Sequence, residues 1–273
     1  MVHTTASDKA FEIHSGSNGC VIKQIEYIGR ASHAGGSPHT GVNALYAAQI
    51  GITAVNALRE TFRDNDHIRF HPIITSGGTV VNAIPARVTL ESYVRGATLE
   101  AISRENKRIN RALAASAAAI GAQLHIYDRP GYAPLINDET LRNIAVEAAC
   151  DIVGQQDVKA DTSWSTGCTD MGDLSAVMPA VHPYAGGATG TGHGADYIIS
   201  DPYAACVRSA QLQVLMLAML LSNDAVQAKH VLAASKPRFS SFSEYFKVMD
   251  AFELDADMVR YNDNGNITLE LSN

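Results

Sequence analysis

Ala86-Arg87-Val88-Thr89-Leu90-Glu91-Ser92-Tyr93-Val94-Arg95 alternates small or apolar residues (Ala86, Val88, Leu90, Ser92, Val94) with longer, mostly polar ones (Arg87, Thr89, Glu91, Tyr93, Arg95). That two-residue period marks a strand with one buried face and one open face. Working outward, Ile68 to Thr75 reads as the preceding strand, ended by Ser76-Gly77-Gly78, and Val21 to Ile28 as an earlier one. Between them Val42, Leu45, Ala48, Ile52, Val55, Leu58 and Phe62 recur at three- and four-residue steps and predict a helix. Downstream, Ile102, Asn106, Ile109, Leu113, Ala117 and Ile120 predict a second helix closed by Gly121. Leu124 and Ile126, alternating with Gln123, His125 and Tyr127, predict a fourth strand. The order over residues 21–129 is β-α-β-β-α-β, the ferredoxin-like plan of an antiparallel sheet with two helices on one face. A domain spanning 21–130 is expected, with Arg129-Pro130-Gly131-Tyr132-Ala133-Pro134 as the linker leading out of it.

Past the linker the pattern changes. Asp138 is placed to cap a helix carrying Leu141, Ile144, Ala145, Ala148 and Ile152. A short strand near Val158, an apolar stretch from Ala176 to Val181 and a long Ala/Leu/Met-rich helix from Tyr203 to Leu221 follow. With at most three strands, residues 131–235 cannot bury both faces of a parallel sheet of usual size, so they predict a partial α/β domain. The fold class expected for the whole chain is α/β (α+β). Residues 1–20 read as an irregular N-terminal segment. The tail from 236 to 273 has no evident role, though Phe242, Tyr245, Phe246 and Met249 suggest a helix and Asn262-Asp263-Asn264-Gly265 a turn.

Of the 273 residues 46% are apolar and 18% charged, as in ordinary globular proteins. A net charge of −7 with no basic cluster argues against nucleic acid as a main partner. Leu212 to Leu221 is too short an apolar run for a membrane span and reads as a buried helix. No basic stretch followed by an apolar one opens the chain, so no secretory signal is expected. Cys20, Cys150, Cys168 and Cys206 are scattered, which suggests reduced thiols in a cytoplasmic protein.

Four stretches carry residues capable of chemistry. His33 lies in the loop Ala31-Ser32-His33-Ala34-Gly35-Gly36-Ser37-Pro38-His39-Thr40-Gly41, where an imidazole is available for hydrogen bonding or is simply a surface group. Asn82, in Asn82-Ala83-Ile84-Pro85, and Arg95, thirteen residues on, are donors suited to a carboxylate. By themselves they read first as a turn residue and a solvated strand-end cation. In Ser165-Thr166-Gly167-Cys168-Thr169-Asp170-Met171-Gly172-Asp173 the aspartates suit either a metal site or a helix cap. Finally, Gly186-Gly187-Ala188-Thr189-Gly190-Thr191-Gly192-His193-Gly194-Ala195-Asp196 holds His193, a possible metal ligand, among five glycines in nine positions, with His182 eleven residues before it.

Taken in order, these motifs, with Pro38-His39-Thr40-Gly41-Val42-Asn43-Ala44-Leu45 and Gly77-Gly78, resemble the dinuclear-zinc amidohydrolases: peptidase family M-twenty, which includes aminoacylases, carboxypeptidases and related metallopeptidases. The resemblance covers about residues 20–222 and is nearest to the amidohydrolase branch. It implies that the β-α-β-β-α-β unit is a lid and dimerisation domain, and that the protein is a homodimer. It implies further that His33 reaches the neighbouring subunit's active site to polarise the scissile carbonyl, that Asn82 and Arg95 bind the substrate carboxylate, and that His193 is the last zinc ligand. The implied reaction is hydrolysis of an amide bond in an N-acyl amino acid or small peptide-like substrate. The family's remaining ligands and its Glu-Glu pair lie upstream of the lid. Here no histidine is followed two places later by aspartate, and no two glutamates are adjacent. The expectation is therefore a lid plus the C-terminal part of a catalytic domain, inactive alone: an excised fragment, the product of a split or truncated gene, or one half of a two-chain enzyme with a separate N-terminal half. The rival expectation is a non-catalytic dimerisation or binding module.

Overall fold

The computed structural model describes residues 1–271. Its architecture is mixed α/β, in two compact units: Asn18–Ala133 together with the chain from Phe246 onward, and Met1–Ser17 together with Pro134–Tyr245.

In the unit containing Asn18–Ala133, seven strands form one antiparallel sheet: β1 (Gly19–Ile28), β2 (Arg69–Phe70), β3 (Ile73–Ser76), β4 (Arg87–Gly96), β5 (Gln123–Tyr132), β6 (Leu254–Tyr261) and β7 (Ile267–Leu269). Their spatial order is β7-β6-β5-β1-β4-β2, with β3 also hydrogen-bonded to β4. Register sets Ile126, Ile25 and Leu90 in one row across the centre and Leu124, Tyr27 and Val88 in the next. All six are buried beneath two helices, α1 (Ala44–Leu58) and α2 (Leu99–Ala119), which contribute Ala47, Ala48 and Val55, and Ile109, Leu113 and Ala117. Each large aliphatic side chain so buried stabilises by roughly 1.5–3 kcal/mol, so the alternation in sequence decides which face turns inward. Asn43 starts α1 by accepting the Leu45 and Tyr46 amides, and Thr98 starts α2 by accepting that of Ala101. Gly51 lets the Tyr27 hydroxyl reach between the helices to Ser116, 2.9 Å away. A Cβ at Gly51 would stand 2.2 Å from that hydroxyl oxygen.

One charged pair lies inside this core. Lys23 and Asp128 are both fully buried and ion-paired. Lys23 Nζ also donates to Asn110 Oδ1 at 2.6 Å, and Asn106 Nδ2 donates to the second Asp128 oxygen at 2.7 Å. Burial pulls the Lys23 ammonium below the ordinary lysine range, against the opposing pull of Asp128.

The sheet departs from expectation in three places. The strand read from Ile68 to Thr75 is split into β2 and β3 at His71-Pro72, because proline has no amide hydrogen for the ladder. β5 runs on through Pro130 to Tyr132, so the expected linker begins as strand, with a register slip between Cys20 and Val21 opposite it. The tail, given no role, forms the expected helix at Phe242–Asp250 and then two strands that were not expected, β6 and β7, which extend the sheet along β5. The Asn262 side chain closes the β6–β7 turn by accepting the Asn264 and Asn266 amides, and Gly265 supplies a φ of 75°.

In the other unit, His3–Thr4, Tyr184–Ala185, Phe11–Ile13 and Val158–Ala160 form a mixed four-stranded sheet in that spatial order. Residues 3–17, read as irregular, thus supply strands. Phe11 and Ile13 are buried with Ile144, Ala145, Ala148 and Ala149 of helix Glu139–Val153, whose first turn Asp138 caps through the Leu141 amide. The segment Tyr203–Ala234 is long and apolar enough by composition to cross a membrane. Its helical backbone is broken, however, at Ser222–Ala225, where Asn223, Asp224 and Ala225 have φ of 50°, 56° and 57°. The expectation of a buried helix at Leu212–Leu221 needs correction: Leu212 and Met216 are buried, whereas Val214, Leu217 and Leu221 are exposed. Only one stripe of an evenly apolar helix can face a single packing partner.

Candidate functional site

At one end of the seven-stranded sheet two loops are zipped together. His33 and Ala83 form an isolated antiparallel bridge; Ala34 donates its amide to Asn82 O and Ile84 donates to Ser32 O, each at 2.9 Å. The pairing brings the His33 and Asn82 segments side by side, and both side chains are exposed. The His33 Nδ1 accepts the Gly35 and Gly36 amides at 3.2 and 2.9 Å, while its carbonyl accepts that of Ser37. Gly41 permits this crossing, since a Cβ there would lie 2.4 Å from Ser32 Oγ and 2.8 Å from Ile84 Cδ1. His39 is exposed within a short 3-10 turn, Pro38–Thr40.

Arg95 is elsewhere. It sits at the far end of β4, opposite Cys20 and Arg69, with its guanidinium over the Tyr93 ring at 5.3 Å. Arg87, where β4 begins, is eight residue steps away, about 26 Å along an extended strand. The sequence spacing of Asn82 and Arg95 does not bring them together within one lid.

In the other unit the glycine stretch is a hairpin: Ala188–Thr189 pairs with Ile198–Ile199, and His193 lies in the connecting loop. Thr191 O accepts the Gly194 amide at 2.7 Å, and His193 has φ of 63°, a left-handed value that histidine tolerates better than branched residues do. Gly190, with φ of 89°, passes close to the Asp196 carbonyl, 2.2 Å from where its Cβ would be. The His193 imidazole is exposed. Asp170 occupies the N-cap position of helix Met171–Val177, but its carboxylate accepts the Thr169 hydroxyl at 3.1 Å rather than a helix amide.

His182 is buried, with both ring nitrogens lacking a hydrogen-bond partner. Its ring meets the edge of Tyr184 at 4.9 Å and of His3 at 4.8 Å. His3 carries no motif, and only the pairing of His3 with Tyr184 places it here. Burial first, then His3, lowers the His182 pKa from 6.5 to about 4. As pH falls from 6.5 toward 4 the unfolded chain therefore takes up a proton that the native ring refuses. Up to about 3 kcal/mol of stability is lost over that window. Unfolding free energies measured between pH 7 and 4 should show this fall in the wild type, with a shallower fall in His182→Phe; identical slopes would rule it out.

A zinc site takes about four ligands. Among the described residues no three His, Cys, Asp or Glu side chains converge to offer them. His193 and His3 are accessible imidazoles, but the residues present do not make a metal centre by themselves.

The unit containing Asn18–Ala133 is thus an antiparallel sheet backed by two helices, with a histidine and an asparagine presented on paired loops at one end. Residues 14–120 match the profile of the peptidase dimerisation domain. The chain is 32% identical to the Xaa-Arg dipeptidase of Mus musculus over 163 residues, 59% of this chain and 37% of that one. Its structure is similar to that of the aminobenzoyl-glutamate utilization protein from Klebsiella pneumoniae, with a TM-score of 0.59 and 18% identity, covering 81% of this chain and 55% of the other. It is also similar to an amidase of the hydantoinase/carbamoylase family from Burkholderia vietnamiensis, with a TM-score of 0.63 and 20% identity, covering 77% and 50%. Through the dimerisation domain at residues 14–120 and the dipeptidase match, the chain is similar to the M-twenty peptidases. It spans about a third of the length of the dipeptidase it matches.

Proposed function

We propose that this chain is the lid-bearing part of a metal-dependent hydrolase that cleaves an amide bond beside a free carboxylate, in an N-acyl amino acid or small peptide-like substrate. The observation that carries the reading is the His33–Ala83 bridge, which presents an imidazole and a carboxamide together at one end of the lid. In this reading His33 hydrogen-bonds the scissile carbonyl, while Asn82 and Arg95 bind the carboxylate. Because β4 separates them, Arg95 of one lid and Asn82 with His33 of a second lid serve one substrate. His193 contributes one zinc ligand, and the other ligands and the carboxylate base come from residues outside this sequence. The four cysteines, none in a disulfide, suit a cytoplasmic protein. The test is to combine the chain with a separately produced N-terminal catalytic half of an M-twenty amidohydrolase and assay N-acyl amino acid hydrolysis with and without zinc. Zinc-dependent turnover absent from either part alone is expected. A folded, metal-loaded assembly that stays inactive would favour the second reading, a non-catalytic dimerisation module, which is supported by the lack of a convergent ligand group among the described residues.

A homodimer is part of the proposal. The tail strands cover the β5 edge of the sheet, whereas on the opposite side every residue of β3 is exposed. Ile73 and Ile74 there, with Tyr46 and Ile50 of α1, are exposed large hydrophobic side chains, and an open apolar edge is a template for pairing with a second copy. Ile74→Lys should weaken self-association at least tenfold in sedimentation equilibrium, about 1.4 kcal/mol. An unchanged dimer would move the interface away from β3.

A further inference from the structure

The geometry points to a fixed tautomer of His33: the backbone amides of Gly35 and Gly36 hold the ring with its proton on Nε2, as an outward hydrogen-bond donor. This rests on the reading of His33 as a carbonyl-binding group and specifies how that group is prepared. A neutral imidazole has one donor nitrogen and one acceptor, and the partner of one nitrogen decides the role of the other. Here Nδ1 faces two N–H groups, Gly36 at 2.9 Å and Gly35 at 3.2 Å, and can only accept. The next amide, Ser37, binds the His33 carbonyl at 3.0 Å, so three successive amides turn back on one residue. The backbone of His33 is in turn held by Ala34 donating to Asn82 O and by the bridge to Ala83. The ring lies close over the loop, since a Cβ at Gly36 would be 3.4 Å from Nδ1.

The consequence is chemical. With the Nδ1 lone pair already engaged, Nε2 keeps the proton and offers it to an acceptor oxygen, a carbonyl or a carboxylate. A metal ligand or a general base at Nε2 would need a free lone pair there. That requires moving the proton to Nδ1, against two N–H groups. Gly35 and Gly36 are thus positioning residues, and their loop selects a donor from a residue type that elsewhere serves as base or ligand.

The test uses the chain alone, without substrate. Long-range proton–nitrogen correlation on the ¹⁵N-labelled protein at neutral pH reads the tautomer directly, with the His33 signals assigned by their loss in His33→Gln. A single Nε2-protonated ring is expected, in place of the mixed population of a free imidazole. Zinc ion added to the sample should leave the His33 signals unmoved. Gly36→Pro, which deletes one of the two donors, should shift the ring toward the mixed population. A proton on Nδ1, a free-imidazole mixture in the wild type, a zinc-induced shift at His33, or a Gly36→Pro variant that folds with its tautomer unchanged would each overturn the assignment. Failure of the reconstituted chain to hydrolyse amides would leave it standing, because the proton's position is read without any reaction.

Discussion

Asp128→Ala should destabilise the unit built on Asn18–Ala133 by about 3–5 kcal/mol, the cost of leaving one partner of a buried ion pair uncompensated. Lys23 Nζ would keep only Asn110 Oδ1, and the amide of Asn106 would lose its acceptor. Both charged side chains are wholly buried, so bulk solvent does not reach the ammonium left behind. With folded domains stable by about 5–15 kcal/mol in total, the variant should unfold at far lower denaturant concentration, or fail to fold. The double variant Lys23→Met/Asp128→Leu separates pairing from packing. It removes both charges and should recover most of the loss, because a buried pair and an apolar replacement of similar volume are often near equal. Chemical denaturation of the wild type and the two variants checks this. A single variant losing less than about 1 kcal/mol would mean that the lysine finds another route to solvent.

His33→Ala, in the reconstituted hydrolase, should lower kcat by about 10²–10³-fold with a much smaller change in KM. That is the usual loss on removing one pre-positioned donor to an oxygen that gains charge in the transition state. Nε2–H is held in place before substrate arrives, so little reorganisation is needed at the reacting moment. Arg95→Ala should behave differently and raise KM, because a carboxylate is bound before and during the reaction alike. Steady-state kinetics on both variants distinguishes the roles. A His33→Ala enzyme with kcat within a factor of about two of wild type would remove His33 from the chemistry.

The legibility of this chain in its sequence follows from the range of the forces involved. The alternation in Ala86–Arg95 and the three- and four-residue steps of α1 and α2 are local records of which face is buried, so β-α-β-β-α-β could be read directly. Caps such as Asp138 are equally local, set by one side chain and an amide three residues on. The split at Pro72 was also written in the sequence, as a missing amide hydrogen, although the surrounding apolar run hid it. The tail was opaque for a different reason. Leu254–Tyr261 is strand-like only because β5 offers an unpaired edge, and a partner more than a hundred residues away leaves no mark in the strand's own pattern. Leu212–Leu221 misled because hydrophobicity reports a capacity for burial, not the number of neighbours available.

By itself, then, the sequence determined the element order of the β-α-β-β-α-β unit, the inward face of its main strands and helices, and the set of histidine, asparagine and arginine positions worth weighing. Only the tertiary structure decided which of those positions meet. Thirteen residues between Asn82 and Arg95 look close on paper, yet most of that separation is extended strand, and extension carries Arg95 to the other end of the sheet. His33 and Asn82, forty-nine residues apart, are neighbours because backbone hydrogen bonds between their loops close the distance. The acceptor role of the His33 Nδ1 was likewise invisible in sequence. It depends on the direction of two glycine amides, and direction is a property that only the folded backbone has.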